Sequence, residues 1–492
     1  MKYSFTIPIT AILCLLFHLP QLQAESPPDT LWARTFGDTN IDIGHELKQT
    51  GDGGFIITGY TRSYGITSGR NVWLVKTNSD GNLQWHNTYG GNNDDEGHAV
   101  QQTSDGGYII AGHTKSLGAG GTDVLLIKTD ADGSQEWIRT FGGTLDDEGY
   151  SVLQTADGGY VVAGVTTSFA VGGRDMWLIK TDPDGNMVWS ETYGGLSSDG
   201  AWSVVQTTDG GFALAGWTFT HGPGPLGNAW LVKTDATGNQ LWHRAFGGSS
   251  VDRAHDLKQL HDGGYVITGY TASSGAGLDD MLLIRTDASG NEIWNRTYGG
   301  SGRDYGQSVI QTVDQESLIV AGYTLSYGMG SEDMWLVKTD MDGELIWQLT
   351  LGGSSADVGN AIEQTTDGDL IVAGYTLSFG AGVHDLWLVR FSSDITALPD
   401  NIVIKSYQHL KPPYPNPANT SVTIPFEVKH QSKVRIQLYD SNGRPIITLL
   451  DDILLPGDHY VSLEQNELAA GVYQLRLESN NVVETRRIVL LQ

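Results

Sequence analysis

The chain is almost without cysteine. Its one cysteine, Cys14, falls within the first 24 residues. Once that segment is removed there is no thiol, which excludes disulfides, thiolate metal sites and cysteine nucleophiles. Basic residues are also few: 29 Lys and Arg stand against 57 Asp and Glu, a formal net charge of -28. Such a surface repels phosphate backbones and anionic lipid, which argues against a nucleic-acid partner. No His-x-x-x-His pair occurs, and no nucleophile and base stand at a defensible spacing. No Gly-rich phosphate loop joins a strand to a helix, because no stretch has a helical period.

The N-terminus reads as an export signal of residues 1–24. Lys2 gives the positive start, Ile7 to Leu19 is a short apolar stretch, and Leu22-Gln23-Ala24 ends on a small residue at the cleavage point. The stretch is too short for a comfortable membrane span, so no transmembrane segment is expected after cleavage near Glu25. A membrane anchor is the competing reading. Leu13 precedes Cys14 where a lipoprotein signal wants a small residue, which argues against lipidation.

What the chain has in abundance is glycine, 64 of 492 residues, and a long repeat. A tryptophan recurs at Trp32, Trp85, Trp137, Trp189, Trp242, Trp294 and Trp347, at intervals of 53, 52, 52, 53, 52 and 53. A glutamine recurs at Gln49, Gln102, Gln154, Gln206, Gln259, Gln311 and Gln364 with the same intervals. Each unit reads as four antiparallel strands joined by tight turns such as Asp157-Gly158-Gly159 and Asp182-Pro183-Asp184-Gly185. Four strands in about 52 residues is one propeller blade. The third strand is apolar without alternation, as in Trp335-Leu336-Val337, which suits a sheet covered on both faces. The repeat opens on a fourth-strand copy, Trp32-Ala33-Arg34-Thr35-Phe36, and closes on a third-strand copy, Asp385 to Arg390. If these pair, both ends complete the seventh blade and no sheet edge stays open. The expected fold is therefore all-β: a seven-bladed β-propeller over residues 25–394, then a small immunoglobulin-like β-sandwich.

The segment Asp132-Gly133-Ser134-Gln135-Glu136-Trp137 resembles the repeat of quinoprotein-like propellers, and the Tyr160 to Gly164 strand is similar to kelch blades. The resemblance implies architecture. Quinoprotein dehydrogenases often carry a vicinal disulfide, which a chain without mature cysteine cannot form. The sialidase Asp-box does not fit, because Trp137 follows Gly133 by four residues.

Residues 395–413 read as a linker, and 414–492 as a separate module. Its expected strands are Ser421 to Val428, Lys433 to Asp440, Pro445 to Leu450, His459 to Leu463 and Val472 to Glu478. The module resembles the type A sorting domain of the type IX secretion system. The resemblance rests on Pro415-Asn416-Pro417, Tyr439 to Arg444 around Gly443, Leu468-Ala469-Ala470-Gly471-Val472-Tyr473 and the terminal Thr485 to Leu490. It implies a Gram-negative bacterium of the Bacteroidota or a related phylum. It also implies type IX machinery as a partner and a location in the medium or on the outer cell surface. A generic carbohydrate-binding or fibronectin-like sandwich is the competing reading.

Strand direction places the Asp-Gly-Gly and Asp-x-Asp-Gly turns on one face of the ring and the Gly-rich loops on the other. The second face carries Asp42, Asp95, Asp147, Asp199, Asp252, Asp304 and Asp357. Asp95, Asp147 and Asp304 are the metal candidates from this set, with calcium as the cation. An Asx-turn to backbone amides competes with that reading. No other cofactor is expected. A sevenfold residue maintains the fold, so specificity should sit where repeats diverge. The divergent residues on this face are Arg174, Trp202, His221, Arg253, Arg303 and Tyr305, with Arg70 and Trp217 nearby. Arginine and aromatic side chains on a concave rim suit anionic or sugar ligands. The expected function is that of a monomeric, non-enzymatic binding or scaffolding propeller facing extracellular glycan or protein. The competing function is a secreted enzyme acting on polysaccharide or glycoprotein with paired carboxylates.

Overall fold

A computed structural model describes residues 27–65 and 69–392. In the C-terminal part it describes 409–410, 418, 421–428, 432–439, 444–454, 457–464, 468–469, 471–479 and 482–490. The export signal expected at residues 1–24 lies outside the described residues, as do Pro415, Asn416, Pro417 and Gly443. The chain divides into two compact units, Met1–Asp394 and Ile395–Gln492.

The first unit holds seven four-stranded antiparallel sheets. In six of them the strands follow chain order. Blade two, for example, is Asp95–Gln102, Tyr108–Thr114, Asp123–Thr129 and Gln135–Phe141. Blade seven takes three strands from the end of the repeat and its outer strand, Thr30–Phe36, from the beginning. That strand pairs with Asp385–Phe391, aligning Thr35 with Trp387 and Phe36 with Leu386. Each first strand touches the first strands of both neighbours, and Asp42–Gln49 touches Asp357–Gln364. The first strands therefore surround a common axis and the ring is closed.

Sequence explains the layers. Third strands such as Asn71–Thr77 and Asp123–Thr129 are buried at every position, because each lies in a sheet covered on both faces. Outer strands such as Leu83–Tyr89 are largely half-buried or exposed. Every hydrophobic cluster of the ring is shared by two adjacent blades. Ile109, Leu126 and Phe141 of blade two, for instance, meet Val162, Trp177 and Ile179 of blade three. The seventh cluster joins Leu386 and Leu388 of blade seven to Leu47, Ile57 and Trp73 of blade one. Burying a third-strand tryptophan such as Trp177 contributes about 4–6 kcal/mol of transfer free energy. The sevenfold outer tryptophan docks on the next blade. Trp137 lies 5.9 Å from Tyr160, and a β-carbon at Gly185 would come within 2.8 Å of its ring.

The second unit contains sheets of three and four strands. Val422, Ile424 and Phe426 of one sheet share a core with Val434, Ile436, Leu475 and Ile488 of the other. The strands run His409–Leu410, Ser421–Val428, Ser432–Tyr439, Pro445–Leu454, Gly457–Glu464, Gly471–Ser479 and Val482–Leu490. Gly471 opens a strand there, and the Tyr473 hydroxyl donates to the Ala469 carbonyl at 2.7 Å.

Candidate functional site

The seven mouth aspartates are fully buried. Asp95 shows their environment. Its Oδ1 accepts from the Thr114 hydroxyl, and its Oδ2 accepts from Ser116 Oγ and the Gly91 amide, both at 2.7 Å. Asp147 takes Thr166, Ser168 and Gly143, and Asp304 takes Thr324, Ser326 and Gly300. Each carboxylate thus ties the start of its own first strand to the loop after the second strand. A cation would have to displace these donors, so the arrangement is that of an Asx-type lock.

The divergent residues sort into three places. Arg174, Trp202 and Arg253 converge on one cavity of about 250 Å³, lined also by Tyr150, Val165, Trp217 and Phe219. The Arg253 guanidinium lies 5.6 Å from the Trp217 ring and 4.9 Å from the Phe219 ring. Its Nη1 donates to the Asp252 carbonyl at 2.9 Å, and no carboxylate lies within ion-pair distance among the described residues. Gly227, at φ +98°, leaves the space that Arg253 occupies; a β-carbon there would meet Nη1 at 2.5 Å. Arg174 faces Glu148 at 3.6 Å.

Arg303 and Tyr305 stand one blade further round. Arg303 Nε is 3.3 Å from Asp279 Oδ2, and the Tyr305 hydroxyl donates to the same oxygen at 2.5 Å. Tyr305 packs between Tyr270 at 4.6 Å and Tyr323 at 4.9 Å. Burial, with the bond to Asp279, raises its pKa, so it stays a neutral phenol. Tyr270 pairs with Arg253 in the blade-five register, which makes the aromatic arc continuous with the cleft.

His221 does not join this group. Its ring packs against Trp230 at 5.4 Å and His243 at 4.5 Å, as Tyr64 packs against Trp73 and His86 in blade one. It fills a repeated blade position, which the two prolines of its loop disguised in the sequence.

The structure also displays a ring that the sequence reading missed. Every first strand carries a register shift at one place, for example between Gly44 and Glu46 and between Gly97 and Ala99. The residue skipped by pairing is His45, His98, Tyr150, Trp202, His255, Gln307 or Asn360. A bulge re-aims a side chain, and all seven line an axial channel of about 420 Å³. Three residues after the sevenfold aspartate the residue type changes from blade to blade, but the position directly after the aspartate varies as much, so variation alone does not single out the bulge. Burial lowers the pKa of His255 to about 4, although the Gly306 carbonyl bonded to its ring works against this. Burial likewise lowers His45, and lowers His98 further with His45 and His113 beside it. These imidazoles are neutral at ordinary pH.

Residues 413–491 match the secretion system C-terminal sorting domain. The chain is thus marked for export by type IX secretion to the cell surface or the extracellular space. Its partners include the secretion machinery. The chain is 25% identical over 303 residues to the regulatory protein FlaEY of Caulobacter vibrioides, a match covering 56% of this chain and 29% of that relative's length. Solved structures resemble it at low identity. One is a Dyadobacter fermentans protein of unknown function, with 13% identity, 74% and 98% of the two chains covered and a TM-score of 0.41. Another is the Pseudomonas aeruginosa periplasmic gluconolactonase PpgL, with 13% identity, coverage of 64% and 87% and a TM-score of 0.41. A third is a puromycin hydrolase, with 12% identity, coverage of 82% and 62% and a TM-score of 0.45. No helix among the described residues is long and apolar enough to cross a membrane, a statement that leaves β-barrels aside.

Proposed function

We propose that the sorted protein is a non-enzymatic binding propeller, and that the cleft of Arg174, Trp202, Trp217, Phe219 and Arg253 takes an acidic saccharide. The observation that supports this most is Arg253. It is an arginine without a carboxylate ion-pair partner among the described residues, laid over two aromatic rings in a cavity on an otherwise acidic protein. An unpaired guanidinium offers a planar fork to a carboxylate or sulfate, and the neighbouring rings offer an apolar face to the sugar. The mouth carboxylates Glu96 and Glu148 are each faced by an arginine, Arg70 and Arg174, an arrangement that favours recognition over glycoside hydrolysis.

Titration calorimetry with uronic-acid oligosaccharides tests the assignment. The wild type should bind, and Arg253→Met should weaken binding by roughly tenfold or more, the loss of one charge-assisted pair of about 1.5–3 kcal/mol. Neutral oligosaccharides should bind more weakly than acidic ones. Equal affinity of wild type and Arg253→Met for the acidic ligand would refute the assignment, as would turnover of the oligosaccharide.

A further inference from the structure

Blade two differs from the other blades where its first strand meets the second. Glu96 and His113 face each other in register, and the bulge after Gly97 adds His98 beside them. Three donors of metal-ligating chemistry are thereby set on one patch, and their ligand atoms all lie within 4.8 Å of one another. His98 Nε2 is 3.0 Å from His113 Nδ1, and Glu96 Oε1 is 3.8 Å from His113 Nε2. The contact between the two rings is a hydrogen bond, which an ion held by both would replace. A tetrahedral ion at about 2.0–2.1 Å holds two imidazole nitrogens roughly 3.4 Å apart, so the rings need only part slightly and turn their lone pairs toward it. We propose that Glu96, His98 and His113 form a binding site for a borderline divalent transition-metal ion of the zinc or copper class, beside the axial channel.

The surroundings fit that role. His98 lines the channel, so an ion has a route in. His45 stacks on His98 at 4.9 Å, and its Nδ1 donates to the Gly97 carbonyl, which braces the bulge that aims His98. Tyr150 closes the other side at 5.0 Å. Two imidazoles and one carboxylate suit zinc, copper, nickel or ferrous iron better than calcium or magnesium, which take oxygen ligands. The neighbouring blades do not repeat the set. The positions of Glu96, His98 and His113 are filled by Ile43, His45 and Tyr60 in blade one, and by Glu148, Tyr150 and Val165 in blade three. Arg70 pairs with Glu96, so metal entry must draw the carboxylate away from the guanidinium or share it.

The experiment uses the secreted protein without a histidine tag. Copper(II) added at one equivalent should give an electron paramagnetic resonance spectrum with coupling to imidazole nitrogen, and zinc titration should show a single site. His98→Gln and His113→Gln should each weaken zinc binding by at least roughly tenfold. His243→Gln, a histidine in outer blade packing, should leave it unchanged. A copper spectrum without nitrogen coupling overturns the proposal on the wild type alone, whatever the variants do. Wild-type zinc affinity in a folded His98→Gln protein overturns it too, as does loss of the site in His243→Gln.

Discussion

At the scale of the residue, repetition turns the protein into its own control series. The hairpin between first and second strands carries a glycine at positive φ in six blades, from Gly53 at +79° to Gly368 at +95°. Blade six places Gln315 there, at φ +67°, where a side chain crowds its own backbone. Gln315→Gly should therefore stabilise the protein by about 1 kcal/mol, after the entropy glycine adds to the unfolded chain is subtracted. Thermal unfolding measures it, and a lower melting temperature would show that the turn is held by contacts of the glutamine instead. The same comparison explains which site residues were legible. Arg174, Trp202 and Arg253 stood out as departures from the repeat, and the fold brings them to one cavity. His221 stood out equally, yet it fills a conserved packing slot with an unusual ring. Departure from a repeat marks a change of side chain, and only coordinates show whether that side chain faces solvent or a neighbour.

At the scale of the element, the hairpin between first and second strands is locked in at least five blades by a largely buried cation. Lys233 is almost fully buried and its Nζ lies 2.9 Å from Asp209 Oδ2, while Thr234 supplies a carbonyl at 2.8 Å. The equivalent pairs are Lys76 with Asp52, Lys128 with Asp105, Lys180 with Asp157 and Arg285 with Asp262. The Thr207 hydroxyl, then Lys233 and the Gly211 amide, outweigh burial and bring Asp209 down to about 2 from its ordinary 3.8. A carboxylate depressed by folding contributes stability that is whole above the unfolded pKa and is lost as pH falls toward the folded one. Asp209→Asn should thus be less stable than wild type above about pH 4, with the gap closing between about pH 4 and pH 2. Melting curves of both proteins across that range decide it; a gap independent of pH would assign the loss to geometry and not to charge. A cation recurs in the sequence at Lys76, Lys128, Lys180, Lys233, Arg285, Lys338 and Arg390, and its local acidic or carbonyl partner was readable from that repeat. The bulge in each first strand was not, because a one-residue insertion in a ladder leaves no mark in a repeat that always contains it.

At the scale of the whole molecule, the ring is held by an outer strand that arrives from the far end of the chain. Thr30–Phe36 covers the edge of Asp385–Phe391, and Trp32 and Phe36 pack against the cluster between blades seven and one. Removing residues 25–37 should expose that edge, lower the melting temperature by more than about 10 °C and promote association. Calorimetry with size-exclusion chromatography measures both effects, and a monomer of unchanged stability would mean that the remaining three strands suffice. The sequence by itself determined the number of blades, the closure of the circle and the sorting module. Each is written in local periodicity, turn chemistry or a linear motif, which survive without long-range contacts. Tertiary structure alone decided which residues face the axis and which meet across blades. The histidine pair depends on the register and bulge of one hairpin, and the Arg253 cleft on strands from three blades converging; sequence spacing encodes neither distance.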